Sequence, residues 1–209
     1  MKTLLLILVL FSPVFCFSQG TSSTKTTDTI SKEQGTIGLL GGAWIPMGQL
    51  NAVGIHPEIG FQSLGTGKKK KFYIGWEFFI KFNKSAHAFN FIDSAGKREE
   101  TNHFFGGYFG IPAAYSIYKS PKQEILFVGG FGGDFFEITA KPRSETEYSI
   151  NVNTGIEYKI RFGKSAYCGI QLKYNYTNYT SSYFAGSPLT VRIVIGGFGD
   201  QIFIPFPRF

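Results

Sequence analysis

The chain has 209 residues, a formal net charge of +7, and an aromatic share of 17%. That aromatic share excludes a disordered chain, and 26 glycines without a three-residue period exclude collagen. Two cysteines cannot form a disulfide framework, and charged residues, at 17%, fall below the roughly one quarter that is usual in soluble domains.

The N-terminus has the pattern of a secretory signal peptide. Lys2 supplies a short positive start and an apolar run extends from Leu4 to Phe17, too short for a membrane-spanning helix. The small residues near its end place the cut after Ser18, so residues 1–18 are predicted to be removed. Residues 19–34 are polar and aperiodic, which indicates a flexible periplasmic leader.

From Gly35 onward, apolar and polar side chains alternate with a period of two, which indicates strands and not helices. The alternation is clearest over 71–83, 149–163 and 165–177. Eight strands are predicted, at 35–45, 53–64, 71–83, 103–118, 124–138, 149–163, 165–177 and 188–199. Most are longer than the roughly six residues usual for strands and match the length that a tilted strand needs to cross a membrane.

The predicted connections alternate in length. The short ones are 65–70, 119–123 and 163–164, and the long ones are 84–102, 139–148 and 178–187, with only 46–52 breaking the contrast. Short turns at one end and long loops at the other are typical of transmembrane barrels. The predicted fold is therefore all-β, an eight-stranded antiparallel up-and-down transmembrane β-barrel spanning 35–200, followed by a C-terminal tail at 201–209.

Side-chain volume decides which face of this barrel points outward. An eight-stranded barrel has an interior just wide enough for its own side chains, and the apolar face carries most of the bulky Phe, Trp and Ile residues. The polar face is rich in glycine and fits a narrow lumen; its glycines are Gly60, Gly75, Gly130, Gly132, Gly155, Gly169 and Gly196. The apolar face, which includes Cys168, is therefore expected to meet lipid.

Several stretches resemble the outer-membrane β-barrel domain family of Bacteroidota, which includes small PorT-like and OmpX-like barrels. They are the signal-peptide end Phe17–Gln19, the opening Gly41–Gly48, the phrase Pro57–Phe61 and the segment Phe109–Tyr115. The resemblance covers about 35–200 and implies an outer-membrane location, contact with lipid and lipopolysaccharide, and insertion by the barrel-assembly machinery. PorT-like members are linked to type IX secretion, and no motif here singles out that branch.

The resemblance also implies an aromatic residue at the C-terminus, which the assembly machinery reads. Phe209 fits this position, whereas Pro205 and Pro207 depart from it because proline cannot donate in a sheet ladder. The last predicted strand, Leu189 to Phe198, is the alternative assembly signal.

Charged residues at inward positions form the candidate site. The predicted network consists of Glu58, Glu77, Lys81, Asp134, Glu157, Lys159, Arg161, Lys173 and Arg192. Unpaired charges in a narrow lumen are costly whereas paired charges are tolerated, so we expect ion pairs that plug the barrel. The alternative is that these residues relay protons or ions through the lumen.

Other chemistry has weak support in the sequence. The basic run Lys68–Lys71 is expected to be a solvated turn, with no nucleic-acid partner, because an exported protein rarely meets one. Three histidines without a recurring spacing predict no metal site, and we expect no cofactor. His56 is expected to form a hydrogen bond in the lumen.

Three functions stay open. The leading one is a non-enzymatic barrel that uses its long loops for contacts with an envelope partner or for envelope assembly. The second is a narrow, porin-like channel or small-molecule passage. The third is a lipid-modifying enzyme, whose candidate residues on or beside the 84–102 connection are Ser85, His87, Asp93, Ser94 and His103.

Overall fold

A computed structural model describes residues 35–66, 71–92, 96–140, 143–162, 165–179 and 184–199. The predicted signal peptide, leader, C-terminal tail and two-residue turn at 163–164 lie outside the described residues, as do Lys68–Lys70, Asp93 and Ser94.

Eight strands form one closed antiparallel barrel, as predicted. They are β1 (Gly35–Ile45), β2 (His56–Thr66), β3 (Phe72–Ile92), β4 (Arg98–Lys119), β5 (Gln123–Ala140), β6 (Arg143–Phe162), β7 (Ala166–Thr177) and β8 (Leu189–Gly199). Each strand pairs with the next along the chain, and β8 closes the barrel on β1. The end that carries the connections 67–71, 120–122 and 163–165 is called the turn end below, and the opposite end is called the loop end.

A short 3₁₀ helix, Gly48–Val53, lies between β1 and β2 at the loop end. Within the described part of the chain, no helix is both long and apolar enough to cross a membrane.

Two of the predicted long loops are wrong. β3 extends to Ile92 and β4 begins at Arg98, so strand occupies most of the connection predicted at 84–102. β5 and β6 likewise extend to Ala140 and from Arg143, which removes most of the loop predicted at 139–148. These four strands rise beyond the ends of their neighbours and form what we call the tall wall, β3–β6.

The physical reason is a change of the apolar face partway up β3. Below Lys84 most apolar side chains of this strand point outward, as Phe82 does, whereas above it Phe89 and Phe91 are buried. The pairing of β3 with β4 shifts register between Lys84 and Phe89. Phe89 and Phe91 still face the same way as Lys81, so the strand keeps its inward phase while the apolar residues move from the outward set to the inward set. An alternation read from hydrophobicity alone breaks at this point and has the appearance of a loop in the sequence.

The two faces of the barrel wall differ as the volume argument predicted. On β8, Ile193 and Ile195 are 60% and 65% exposed, while Val194 between them is fully buried. β6 and β7 alternate in the same way, with their polar side chains inside and their apolar side chains outside. Cys168 is half-buried and belongs to the outward set of β7.

Glycines allow the closest approaches between strands on the inner face. A Cβ on Gly75 would overlap the backbone oxygen of Ser63 on the neighbouring strand, and a Cβ on Gly42 would overlap that of Val191. By contrast, a Cβ on Gly41 would meet nothing within 4 Å because that position points outward. The glycines of the inner face therefore let the wall curve tightly around its contents.

Candidate functional site: paired charges in the lumen

One ion pair joins opposite walls of the barrel. Glu77 lies on β3 and Lys173 on β7, four strands apart in either direction around the closed sheet. The Lys173 Nζ donates to both carboxylate oxygens of Glu77, at 2.8 and 2.9 Å, and both side chains are fully buried. Gln62 Nε2 donates to the same carboxylate at 3.0 Å. The lumen is therefore bridged across its full width at this level.

A second group of side chains continues around the wall from β2 to β6. Arg192 Nε and Nη2 donate to the two oxygens of Glu58 at 2.7 and 3.3 Å, across the strand that carries Gly42. The Nη1 of the same guanidinium donates to Gln171 Oε1 at 3.0 Å, and Gln171 Nε2 donates to Glu157 at 2.9 Å.

This group ends at a further ion pair and rests on an aromatic ring. Lys159 Nζ lies 3.1 Å from Glu157 Oε1. The guanidinium of Arg192 lies 3.6 Å from the centroid of the Phe79 ring, in cation–π geometry. A bidentate, stacked arginine is the geometry that holds a buried carboxylate most firmly.

A third pair lies toward the loop end. Lys81 Nζ contacts the Asp134 carboxylate at 2.6 and 2.8 Å, and Asn151 Nδ2 donates to it at 3.3 Å. Tyr179, in the connection after β7, donates its hydroxyl to Asp134 Oδ1 at 2.7 Å. Burial, and next the nearby Asp134 carboxylate, raise the pKa of the Tyr179 phenol well above its ordinary value. The phenol therefore stays protonated and remains a donor at neutral pH.

The remaining pair lies near the turn end and includes a residue that the sequence analysis missed. Glu124 accepts from Tyr73 at 2.8 Å and lies 3.2 Å from Arg161 Nη2. Lys119 Nζ is 3.8 Å from the same carboxylate. Glu124 shares its alternation phase with Asp134 on β5, and that phase is the sequence feature that could have identified it as an inward residue.

The structure thus places all nine predicted network residues inside the barrel and brings each into a pair. Glu124 supplies the fifth carboxylate, so that five carboxylates meet five cations among the described lumen residues, with the partly exposed Lys119 as an additional neighbour of Glu124. The sequence analysis also missed the amides that link the pairs, Gln62, Gln171 and Asn151, because a neutral amide on a strand carries no charge pattern. The arrangement is charge-neutral and densely hydrogen-bonded.

An apolar layer lies over the network at the loop end and is called the aromatic cap below. Its residues are Trp44, Leu50, Val53, Phe89, Phe91, Phe104, Phe136, Ile138, Tyr179 and Phe184. The 3₁₀ helix and the connection after β7 contribute to it from one side, and Leu50 N donates to Ala185 O at 3.2 Å between them. The inner face of the tall wall contributes from the other side, which explains why that face becomes apolar above Lys84.

His56 lies beneath this cap at the start of β2. It is buried, its Nε2 lies 3.1 Å from Val53 O, and its ring stacks on Phe104 with centroids 4.1 Å apart. This arrangement agrees with the expected role as a hydrogen-bonding lumen residue.

Of the five residues considered for a lipid-modifying active site, the structure describes the side chain of one. His103 is exposed on β4, whereas the side chains of Ser85 and His87 and the whole of Asp93 and Ser94 lie outside what the structure describes. Within the described ranges, no three His, Cys, Asp or Glu side chains are placed to hold a metal ion together.

Comparisons with known proteins identify the fold. No protein-family model and no curated protein match the chain. Among solved structures, the N-terminal β-barrel domain of Pseudomonas aeruginosa OprF matches with 10% identity and a TM-score of 0.50, covering 79% of this chain and 100% of that domain. Neisserial surface protein A (NspA) matches with 9% identity and a TM-score of 0.59, covering 80% of this chain and 97% of that one. The chain therefore has the fold of small outer-membrane β-barrels.

Proposed function

We propose that this chain is a non-enzymatic outer-membrane barrel with a closed lumen, which uses its loop end for contacts or for envelope assembly. The observation that carries the proposal is the Glu77–Lys173 pair, which joins opposite walls at 2.8 Å with no exposed surface. A lumen bridged in this way and covered by the aromatic cap leaves no wide aqueous path.

The outward face supports a location in a membrane. Large apolar side chains remain exposed along most of the strands, among them Leu39, Ile59, Phe109, Phe131, Ile150, Ile170 and Ile195. A contiguous apolar belt of this kind is stable only where lipid covers it, and a closed barrel satisfies its backbone hydrogen bonds there. The predicted signal peptide provides the route of export.

The source and the partners follow from the same proposal. The sequence resemblance supports membership of the Bacteroidota-type outer-membrane barrel family. Lipid and lipopolysaccharide surround such a barrel, and the barrel-assembly machinery inserts it. The tall wall is the surface that an envelope partner would contact, because β3–β6 continue beyond the ends of β2 and β7.

Planar-bilayer conductance tests the closed lumen. We expect the purified wild type to show no ohmic conductance of nanosiemens size, because the paired side chains fill the cross-section. Truncating the bridging pair, with Glu77→Ala and Lys173→Ala together, is expected to raise the frequency of openings. The matched control is Lys97→Ala with Glu99→Ala, which removes an ion pair at the loop end, away from the bridging pair, whose lysine side chain is 72% exposed. Nanosiemens conductance in the wild type would contradict the proposal and favour the channel alternative.

A further inference from the structure

Exposed lysines gather at the turn end of the tall wall. Lys71 precedes β3, Lys119 ends β4 and Lys122 precedes β5, and all three are exposed. Hydrogen bonds hold the backbone of two of them, because Ser116 N donates to Lys71 O at 2.7 Å and Arg161 N donates to Lys122 O at 2.8 Å. Lys119 lies in the ladder, opposite Glu124. These three lysines are called the basic rim.

Among the residues that the structure describes at the turn end, acidic side chains are too few to offset this charge. Within the described turn-end regions 35–37, 64–66, 71–73, 117–125, 160–162, 165–168 and 197–199, the one carboxylate is Glu124. It is buried, and Arg161 and Tyr73 already contact it. Lys119 Nζ donates to the Tyr73 hydroxyl at 3.2 Å and lies 3.8 Å from the same carboxylate, and the single negative charge of Glu124 is already matched by Arg161. The basic rim therefore presents a net positive surface.

Exposed apolar side chains border the basic rim on the same strands and on the neighbouring β6. They are Phe72, Tyr115, Ile117, Tyr118, Phe127 and Phe162. Phe72 directly follows Lys71, and Tyr118 directly precedes Lys119. Aromatic side chains beside lysines at the edge of an apolar band are typical of the boundary between hydrocarbon and headgroups. A protein partner or a polysaccharide would not require this apolar border.

We infer that the basic rim binds the anionic headgroups of phospholipids in the leaflet at the turn end. The inference rests on the proposed membrane location and goes beyond it by naming a lipid class and a site. Lysines near a membrane surface attract anionic lipid through screened Coulomb forces that decay within a Debye length. Each lysine is expected to increase the local ratio of anionic to zwitterionic lipid on the order of fivefold.

The chain contains its own reporter for this test. Of its two tryptophans, Trp76 belongs to the outward set of β3, where it packs against Phe61 with ring centroids 5.0 Å apart. Trp44 is buried in the aromatic cap. A brominated acyl chain in the bilayer therefore quenches Trp76 and leaves Trp44 largely unaffected.

The full-length protein is folded into phosphatidylcholine vesicles that contain an equal mole fraction of brominated phosphatidylglycerol or of brominated phosphatidylcholine. We expect brominated phosphatidylglycerol to be enriched around Trp76 by more than about fivefold, which is the contribution of a single lysine. The enrichment should disappear near 1 M salt, where the Debye length is about 3 Å. It should also disappear in the triple variant Lys71→Gln, Lys119→Gln, Lys122→Gln.

The matched control is Lys97→Gln with Arg98→Gln, which neutralises exposed charges at the loop end and should keep the enrichment. Equal quenching by both lipids in an inserted wild type would overturn the inference while leaving the proposed barrel intact. Binding of the detergent-solubilised wild type to purified cell-wall sacculi, without any lipid preference, would overturn it in favour of an anionic polymer. If the triple variant does not fold, the salt titration of the wild type tests the inference by itself: an enrichment that persists near 1 M salt would overturn it.

Discussion

At the scale of single residues, the bridging pair is the most sensitive point of the molecule. Replacing Lys173 with Met leaves the Glu77 carboxylate buried without its main counter-charge, and such a loss costs about 3–5 kcal/mol of unfolding free energy. Urea unfolding of the protein in lipid vesicles, followed by tryptophan fluorescence, measures the effect. The double replacement Glu77→Met with Lys173→Met should cost less than the single one, because no uncompensated charge remains.

Lys97→Met serves as the control for this prediction. Its partner Glu99 lies at the loop end, and the lysine side chain is 72% exposed, so the change should cost no more than about 1 kcal/mol. A Lys173→Met variant as stable as this control would show that the buried pair does not hold the lumen together.

The network residues could be predicted because charge and alternation phase coincide on β3, β6, β7 and β8. Glu77 and Lys173 each stand among apolar neighbours at an inward position, so their burial followed from the strand pattern alone. Their pairing across the lumen did not follow, because it depends on how the strands are staggered around the barrel. Glu124 was not predicted as a lumen residue because it lies at the start of its strand, where an acidic residue is usually solvated.

At the scale of the strands, the glycines of the inner face determine how tightly the sheet can coil. Gly75→Ala places a methyl group into the backbone of Ser63 on β2, so β2 and β3 must move apart or the barrel fails to close. Overpacking of this kind costs about 1–3 kcal/mol or prevents folding. The same urea titration in vesicles measures it.

Gly41→Ala is the corresponding control because its methyl group would point away from the barrel into open space. It should leave stability unchanged or raise it by about 0.4–1 kcal/mol through the unfolded state. If the two variants unfold at the same urea concentration, the close approach at Gly75 does not limit the packing of β2 against β3.

Strand number and most boundaries could be predicted because the alternation is long and regular below Lys84. The upper parts of β3–β6 could not, because their inward face is covered by the aromatic cap and not by paired charges. Phe89 and Phe136 therefore face the same way as Glu77 and Asp134 below them, and the apolar pattern changes side without leaving the strand. A prediction from period alone requires a constant environment on each face.

At the scale of the whole molecule, lumen, cap and outer face have separate functions. The neutral charge network fills the middle of the barrel, the aromatic cap covers it at the loop end, and the apolar outer face requires lipid. The fold class followed from the sequence because only a closed barrel buries so many strands without a second layer. The partner could not be predicted from the sequence, because contact surfaces on loops carry no periodic pattern.

The most direct measurement is the migration of the protein from isolated outer membranes on SDS gels, with and without boiling. The account predicts that the protein is found in the outer-membrane fraction and that the unboiled form migrates differently from the boiled one, because the barrel stays folded in SDS. A protein released in soluble form, without any shift on boiling, would contradict the assignment of the apolar face to lipid.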